Sequence, residues 1–195
     1  MTEDKGTVVS KGTRSNLQAF QQRLSERIAQ AQSGAATENL RLSVTIAGQT
    51  CLFPLSQTQG VIEITQLKPV PLAKPWLLGI VIEQGEIYSV IDPMQLVGAG
   101  KLELRTGSKA VVVSPTLGLP ICILVDRVNG LVNRANFKVE NKIVEAMSDQ
   151  DEAEKSSLGM ALFASAAWSN ETDQVHLEVS FETFIEYPEL KQPLA

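Results

Sequence analysis

The side chains that could do chemistry in this sequence are few and lie far apart. His176 is the one histidine of the 195-residue chain, and it stands between Val175 and Leu177 in an alternating segment. Imidazole is the side chain best suited to act as a general base near neutral pH. The residues that share its phase along the segment are polar, so a surface or half-buried structural histidine is favoured over a catalytic one.

Two aspartates, Asp92 and Asp126, each follow an apolar run, a position from which a carboxylate can act in catalysis. Asp92-Pro93 is also typical of a helix start, because the carboxylate accepts from free helical N–H groups and proline fits the first position. We predict a short helix over 93–97 and a cost of about 1 kcal/mol for Asp92→Ala, with Asp92→Asn keeping most stability. Asp126-Arg127 predicts a local pair or cap at a turn. The alternative is a small β-barrel enzyme or ligand-binding protein that uses Asp92 or Asp126.

Other catalytic and metal-binding patterns are missing from the sequence. It holds no Gly-x-Ser-x-Gly elbow, no phosphate loop that ends in Lys-Ser/Thr and no zinc-like Cys/His spacing. Cys51 and Cys122 each lie among apolar residues, which predicts buried thiols rather than a disulfide or a metal pair. We therefore expect no enzymatic activity, no cofactor and no metal.

Composition and charge narrow the class of protein further. Hydrophobic residues make up 44% and charged residues 20%, as in an ordinary globular domain. The net charge is −5 and no Lys/Arg run is longer than two, which argues against a nucleic-acid partner. The apolar run from Trp76 to Ile82 is far shorter than the ~18 residues that span a bilayer, and the first residues lead into no apolar signal segment. We expect a cytoplasmic protein without direct membrane insertion.

Residues 1–36 are predicted to form a flexible leader followed by an amphipathic α-helix. Ser15 is the expected N-cap, and Ser33-Gly34 ends the helix. The apolar face of such a helix can pack on the chain's own core or on a partner. The apolar positions recur at spacings of three and four, which places them on one helical face: Leu17, Phe20, Leu24, Ile28 and Ala31.

Residues 37–195 are predicted to form the main, strand-rich domain. Leu42, Val44 and Ile46 alternate with polar residues, the period-two pattern of a half-buried strand. Gln84-Gly85, flanked by two apolar runs, is a predicted hairpin tip. Asn129-Gly130 is a second, because both central positions of such a turn need positive φ. The acidic stretch 148–157 is predicted to be a solvated loop, with a partner-facing role as the alternative.

One pattern occurs twice in the chain. The run ending at Asp92-Pro93 parallels the run ending at Ser180-Phe181, each an alternating strand, a capping residue and a short helix. We therefore expect two similar β units of about five strands each. Neither unit is long enough for a generous core of its own, so the two are expected to share side chains.

Several ordered segments resemble the CheW-like family. The first is Pro75-Trp-Leu-Leu-Gly-Ile-Val-Ile-Glu-Gln-Gly-Glu86, running on to Val90-Ile-Asp92, and a second is Ile123-Leu-Val-Asp-Arg-Val-Asn-Gly130. The resemblance implies a mainly β fold of two intertwined five-stranded SH3-like barrel subdomains, here with the added N-terminal α-helix. It also implies a non-enzymatic adaptor. Its partners would be the cytoplasmic tip of a methyl-accepting chemoreceptor and the regulatory domain of a CheA-like histidine kinase, in membrane-associated receptor arrays.

The N-terminal helix and the final segment are closer in character to the PilI branch, which serves type IV pilus twitching motility. The chain departs from the family pattern at Ile82 and Gln84, which stand where Asn and Arg are usual. Glutamine cannot offer the charged fork of arginine. The resemblance assigns a structural role to Asp92 and Gly130 and places partner contacts at six residues: Glu63, Gly79, Ile82, Gln84, Gly85 and Val128.

Overall fold

The computed structural model describes residues 38–139, 159–170 and 173–194 of the chain. The predicted leader and helix over 1–36 and the acidic stretch 148–157 lie outside these residues, so both stay predictions. In the described part, none of the helices is long and apolar enough to cross a membrane.

The described residues form eleven strands and two short α-helices, with 3-10 turns between several of them. The strands are β1 (Leu40–Ile46), β2 (Gln49–Pro54), β3 (Thr58–Glu63), β4 (Leu77–Glu83), β5 (Glu86–Ile91), β6 (Lys109–Val113), β7 (Ile121–Val125), β8 (Arg127–Asn133), β9 (Lys138–Val139), β10 (Ala164–Ser169) and β11 (Val175–Val179). The helices are α1 (Pro93–Leu96) and α2 (Phe181–Ile185).

These strands form two sheets with interleaved connectivity. The first sheet has six strands in the order β8-β1-β2-β11-β10-β9, and the second has five in the order β3-β6-β7-β5-β4. The middle of the chain builds the second sheet, whereas the first sheet takes strands from both sides of it. The predicted mainly β fold with two intertwined units is confirmed. The first unit has one strand more than predicted, because the two-residue β9 adds to its edge beside β10.

Alternating apolar residues from both sheets form one shared core. The rings of Phe53, on β2, and Phe181, on α2, stack with their centroids 4.5 Å apart. Cys51 and Cys122 lie buried in this core as free thiols, and their burial raises the pKa of each to about 12. Such thiols stay protonated, in agreement with their predicted role as small apolar groups.

The repeated sequence pattern corresponds to a repeated structure. β5 pairs in parallel with β7 and leads into α1, and β11 pairs in parallel with β2 and leads into α2. Asp92 caps the first helix and Ser180 caps the second. Each sheet therefore contains one parallel pair, followed by a capped helical turn.

The predicted hairpin tip at Asn129-Gly130 is wrong. β8 runs through both residues and pairs with β1, where Ser43 lies opposite Gly130 and Val44 opposite Val128. Asn129 is therefore the extra residue of a β-bulge, and Gly130 has a φ of +124°. A bulge needs the same backbone freedom as a tight turn, so the dipeptide alone could not distinguish the two.

Candidate protein-interaction surface

The two outer strands of the five-stranded sheet, β3 and β4, border a shared cleft. A cleft of about 340 Å³ is lined by β3 residues and by the end of the β4–β5 hairpin. A neighbouring cleft of about 110 Å³ shares Ile62 and Glu83 with it. We call the two together the edge cleft. Sheet edges carry unpaired backbone groups, so such a surface is suited to a protein partner.

The β4–β5 hairpin presents two unusual cross-strand pairs beside the edge cleft. Ile82 lies opposite Ile87, and these side chains are 54% and 55% exposed. Glu83 lies opposite Glu86 at the last position before the turn. Strand alternation places the isoleucine pair and the glutamate pair on opposite faces of the hairpin.

Gln84 and Gly85 form the tip of this hairpin. Their φ angles are +52° and +86°, the left-handed backbone that a two-residue turn between strands requires. Gly85 adopts this angle freely and Gln84 carries some strain. The tip therefore holds the glutamine in a fixed position at the mouth of the larger cleft, which Gln84 lines.

Glu63 ends β3 on the other side of the edge cleft. Its carboxylate forms an ion pair with Lys109, its register partner on β6, and both side chains are about half exposed. An exposed pair of this kind contributes at most about 1 kcal/mol to folding. The glutamate is therefore available to a partner.

Tyr88 forms the floor of the larger cleft. The residue is buried, and its hydroxyl donates to the Glu86 carboxylate and lies 3.2 Å from Gln59 Oε1. The hydrogen bond to Glu86 raises the pKa of Tyr88 above its ordinary value of 10.0. The phenol consequently stays neutral and orients the Glu86 carboxylate at the cleft.

Three of the six predicted contact residues line the edge cleft, namely Glu63, Ile82 and Gln84. Gly85 adjoins it as the second residue of the hairpin tip. Gly79 and Val128 are not among the lining residues.

Gly79 is buried in β4, where a Cβ would stand 2.5 Å from the carbonyl oxygen of Lys68. This close approach explains the glycine without any partner. Val128 lies half-buried on β8, in the other sheet, where it packs against the core.

Asp92 holds two segments of backbone together. Its carboxylate is fully buried and accepts hydrogen bonds from Met94 N at 2.9 Å and Gln95 N at 3.2 Å. The second oxygen accepts from Gln95 Nε2 at 2.9 Å and from Leu102 N at 3.0 Å. The bond to Leu102 extends the cap to the loop that follows α1, a contact that local sequence reasoning missed.

Asp126 also contacts backbone, but not locally. Its carboxylate accepts from Ala47 N at 2.6 Å in the β1–β2 turn, and its own N–H donates to Thr45 O at 3.0 Å. The predicted local role is therefore replaced by a link between two distant turns. Across the described ranges, no group of three His, Cys, Asp or Glu side chains could hold a metal ion. These positions lend no support to the alternative of an enzyme that uses Asp92 or Asp126.

His176 is more deeply buried than predicted. Its ring packs edge-on against Phe137, with centroids 5.0 Å apart, and neither ring nitrogen has a hydrogen-bond partner in the described part of the chain. Burial lowers the pKa of His176 below its ordinary value of 6.5. The polar phase of β11 faces other side chains rather than water, so His176 is buried instead of lying at the surface or half-buried.

A buried polar cluster lies beside this histidine and was not foreseen. Arg41 Nε donates to Glu178 Oε1 at 2.9 Å, and Trp168 Nε1 donates to Glu178 Oε2 at 2.7 Å. The guanidinium and the carboxylate are both nearly enclosed. Breaking such a pair leaves an uncompensated buried charge, so the cluster is a structural link between β1, β10 and β11.

Sequence reasoning missed two residues that line the edge cleft, Glu83 and Glu86, and one beside it, Ile87, which lies opposite Ile82. A signal for them was present. A two-residue turn at Gln84-Gly85 fixes the register of the hairpin, so Glu83 must oppose Glu86 and Ile82 must oppose Ile87. Two acidic residues in direct opposition destabilise a hairpin, and the opposed isoleucines leave apolar surface in water, so this combination indicates an interaction surface.

Comparison with known proteins identifies similar sequences and a similar structure. The model of the CheW-like domain family matches residues 41–164, more than half of the chain. The chemotaxis protein CheW of Thermotoga maritima is 29% identical over 91 residues. That stretch covers 47% of this chain and 59% of the Thermotoga protein.

The fold also resembles a solved structure, that of the scaffolding protein TtCheW from Thermoanaerobacter tengcongensis. The TM-score is 0.58, and the match covers 78% of this chain and 90% of that protein. The two sequences are 15% identical over the match, so the likeness concerns the fold.

Proposed function

The chain belongs to the CheW-like domain family, and we propose that it is a non-enzymatic adaptor of a chemosensory pathway. Its proposed partners are the cytoplasmic tip of a methyl-accepting chemoreceptor and the regulatory domain of a CheA-like histidine kinase. Similar proteins are named as a chemotaxis protein and as a scaffolding protein, which supports this role. We place the protein in the cytoplasm, recruited to membrane-associated receptor arrays.

The proposed mechanism is positional. One surface of the adaptor holds the kinase and another holds the receptor, so that the geometry of the assembly transmits the state of the receptor. Two sheets that share one core suit this task, because a packed interior fixes the distance between surfaces on either unit.

The observation that carries the proposal is the edge cleft. Among the described residues, this surface combines exposed apolar side chains with charged groups, flanked by the two outer strands of a sheet. Interfaces commonly have such an arrangement of an apolar centre and a polar rim. We propose Glu63, Ile82, Gln84 and Gly85 as contact residues there. The predicted partner contacts of Gly79 and Val128 lie outside this cleft and stay predictions.

The test is a titration of the full chain against a labelled kinase regulatory domain and a labelled receptor tip. Glu63→Lys should weaken one of these two complexes by about 1 kcal/mol or more, because it reverses a charge in the interface. Gln84→Arg restores a guanidinium at the hairpin and should bind the receptor tip at least as tightly. Thermal unfolding of both variants should stay near that of the wild type, since both residues are exposed.

Glu189→Lys is the matched control. Glu189 forms an exposed ion pair with Lys74, and its side chain is 51% exposed, against 50% for Glu63. It is not among the residues that line the edge cleft. If Glu63→Lys and Glu189→Lys both bind the two partners like the wild type, the edge cleft is not the docking surface.

Within the family, we propose that the chain serves type IV pilus twitching motility as a PilI-like adaptor. The support is the sequence character of residues 1–36 and of the final segment. The same titration decides between pathways when it is repeated with the kinase domains of a pilus system and a flagellar system. Tighter binding to the flagellar kinase would contradict the pilus assignment.

A further inference from the structure

We infer that the β4–β5 hairpin binds an extended segment of the partner that carries a lysine or arginine among aliphatic residues. This inference rests on the proposed adaptor function and names the chemistry of the partner at the edge cleft. Three features of the hairpin lead to it: an unneutralised carboxylate pair, an exposed apolar pair and a free stretch of sheet edge.

The carboxylate pair lacks a cation. Glu83 and Glu86 occupy directly opposed positions, and like charges in such positions destabilise a sheet. Neither forms an ion pair with a basic residue in the part of the chain that the structure describes. Tyr88 donates to Glu86 but brings no positive charge. A basic side chain from a partner would supply the missing charge to both carboxylates.

The apolar pair lies on the other face of the same hairpin. Ile82 and Ile87 are both more than half exposed, and Val61 on the facing strand β3 is 39% exposed. Aliphatic side chains in contact with them would remove this surface from water. The partner must therefore offer apolar groups on one side and a cation on the other.

The edge of β4 explains how one segment can reach both faces. Ile80 donates to Lys68 O at 2.8 Å and accepts from Lys68 N at 2.9 Å, so its polar backbone groups point away from β5. Because these directions alternate along a strand, the backbone N–H and C=O of Ile82 point to the same side as those of Ile80. The bridge to Lys68 is the only pairing recorded on that side of β4 among the described residues, and Ile82 is beyond it.

A partner strand added at Ile82 would have alternating side chains. One set would meet Ile82 and Ile87, and the other would point towards Glu83 and Glu86. Charge complementarity selects this occupant over a second copy of the chain, whose net charge is −5.

The test uses Glu83→Lys and Glu86→Lys in the full chain, titrated against the labelled kinase regulatory domain and receptor tip. Each variant should bind one of these partners roughly tenfold more weakly or worse, and the other like the wild type. For Glu83→Lys the midpoint of thermal unfolding should be unchanged or higher, because the reversal replaces a repelling pair by an attracting one. Glu86→Lys gains the same attraction but removes the carboxylate acceptor of Tyr88, whose hydroxyl keeps Gln59 as a partner, so its midpoint should stay near that of the wild type. Glu186→Lys, an exposed acid on the α2 side of the molecule, is the matched control and should not alter binding.

Two further measurements locate the cation. Binding by the wild type should weaken as salt is raised, and the double variant Glu83→Gln/Glu86→Gln should show a smaller salt dependence. An arginine or lysine of the partner, changed to glutamate, should restore binding to Glu83→Lys.

The outcomes separate the inference from the function on which it rests. Wild-type binding to neither partner overturns the adaptor proposal and the inference with it. If the wild type binds and both lysine variants bind as Glu186→Lys does, the hairpin inference fails while the adaptor role stands. Self-association of the wild type in sedimentation, lost in Glu83→Lys, would overturn it in favour of a second copy.

Discussion

The capped ends of β5 and β11 follow the same pattern but differ in what the capping residue holds. Asp92 is fully buried and accepts four hydrogen bonds, one of them from Leu102. Ser180 is half-buried and accepts one, from Thr183 N at 3.5 Å. Another free donor at the start of α2, the N–H of Phe181, donates to Gln57 Oε1 at 2.8 Å.

This difference follows from the chemistry of the two side chains. A carboxylate has two oxygens and about four acceptor sites, whereas a hydroxyl has one oxygen. Asp92 can therefore accept hydrogen bonds from N–H groups at the start of α1 and in the loop that follows it. At Ser180 the same task is divided with a residue from another part of the chain. The helix start beside the five-stranded sheet consequently depends on one residue, Asp92, and the one beside the six-stranded sheet on two, Ser180 and Gln57.

The largest expected effect is that of Asp92→Ala. The substitution leaves the buried N–H groups of Met94 and Leu102 without acceptors, so we expect a loss of about 3 kcal/mol or more in the free energy of unfolding. This exceeds the ~1 kcal/mol expected of a cap alone. Denaturant unfolding measures it.

Asp92→Asn is the matched control for this experiment. Asparagine keeps one acceptor oxygen but directs an NH₂ group at the donors on the other side, so an intermediate loss of about 1–2 kcal/mol is expected. This is more than the sequence alone suggested. A loss of 1 kcal/mol or less for the alanine variant would show that the bond to Leu102 adds nothing.

Ser180→Ala should have a smaller effect, about 0.5–1 kcal/mol, because Gln57 still satisfies one donor at the start of α2. The same denaturant experiment checks it. Gln57→Ala in the Ser180→Ala background should then cost more than it does alone, since the two residues share the helix start. Equal and additive losses at Asp92 and Ser180 would contradict the contrast between the two units.

The smallest expected effect concerns His176, which precedes the second cap on β11. Its folded pKa lies below 6.5, so the unfolded chain binds the proton more readily. Stability is therefore full above pH 6.5 and falls as the pH drops through 6.5 towards the folded value. Glu178, two residues further along the same strand, and Arg41, which pairs with it, are a buried ion pair of opposite charges.

His176→Phe removes the titrating group, so the thermal stability of the variant should depend less on pH between about pH 6.5 and 5 than that of the wild type. His176 is the one histidine of the chain, so a difference between the two profiles in this range belongs to it. Parallel profiles for wild type and variant would mean that the imidazole is protonated equally well in the folded and unfolded chains.

Local sequence patterns predicted most of the strands but not every turn. Leu42, Val44 and Ile46 alternate because one face of β1 lies in the apolar core, and a period of two expresses this directly. The other face also holds buried residues, the polar Arg41 and Ser43, which the period does not reveal. Gln84-Gly85 and Asn129-Gly130 look alike in sequence, yet the first is a tip and the second a bulge. What distinguishes them is pairing with distant strands, which no local window contains.

The candidate site was predictable only in part, for the same reason. The hairpin register that places Glu83 opposite Glu86 follows from two adjacent turn residues, so it could have been predicted from the sequence. The contact between Arg41 and Glu178 joins residues 137 positions apart and could not. His176 was misplaced because Phe137, whose ring packs against it, and Trp168, its register partner, come from other segments of the chain.

The interleaved order of strands has a consequence for synthesis on the ribosome. All five strands of the second sheet have been made once Val125 has emerged, so this sheet can assemble while translation continues. β1 and β2 are made earlier, but β2 lacks its parallel neighbour until β11 appears. β1 and β2, which are made before the second sheet, therefore complete their sheet after it, and the unpaired edge of β2 is open to a chaperone in the meantime.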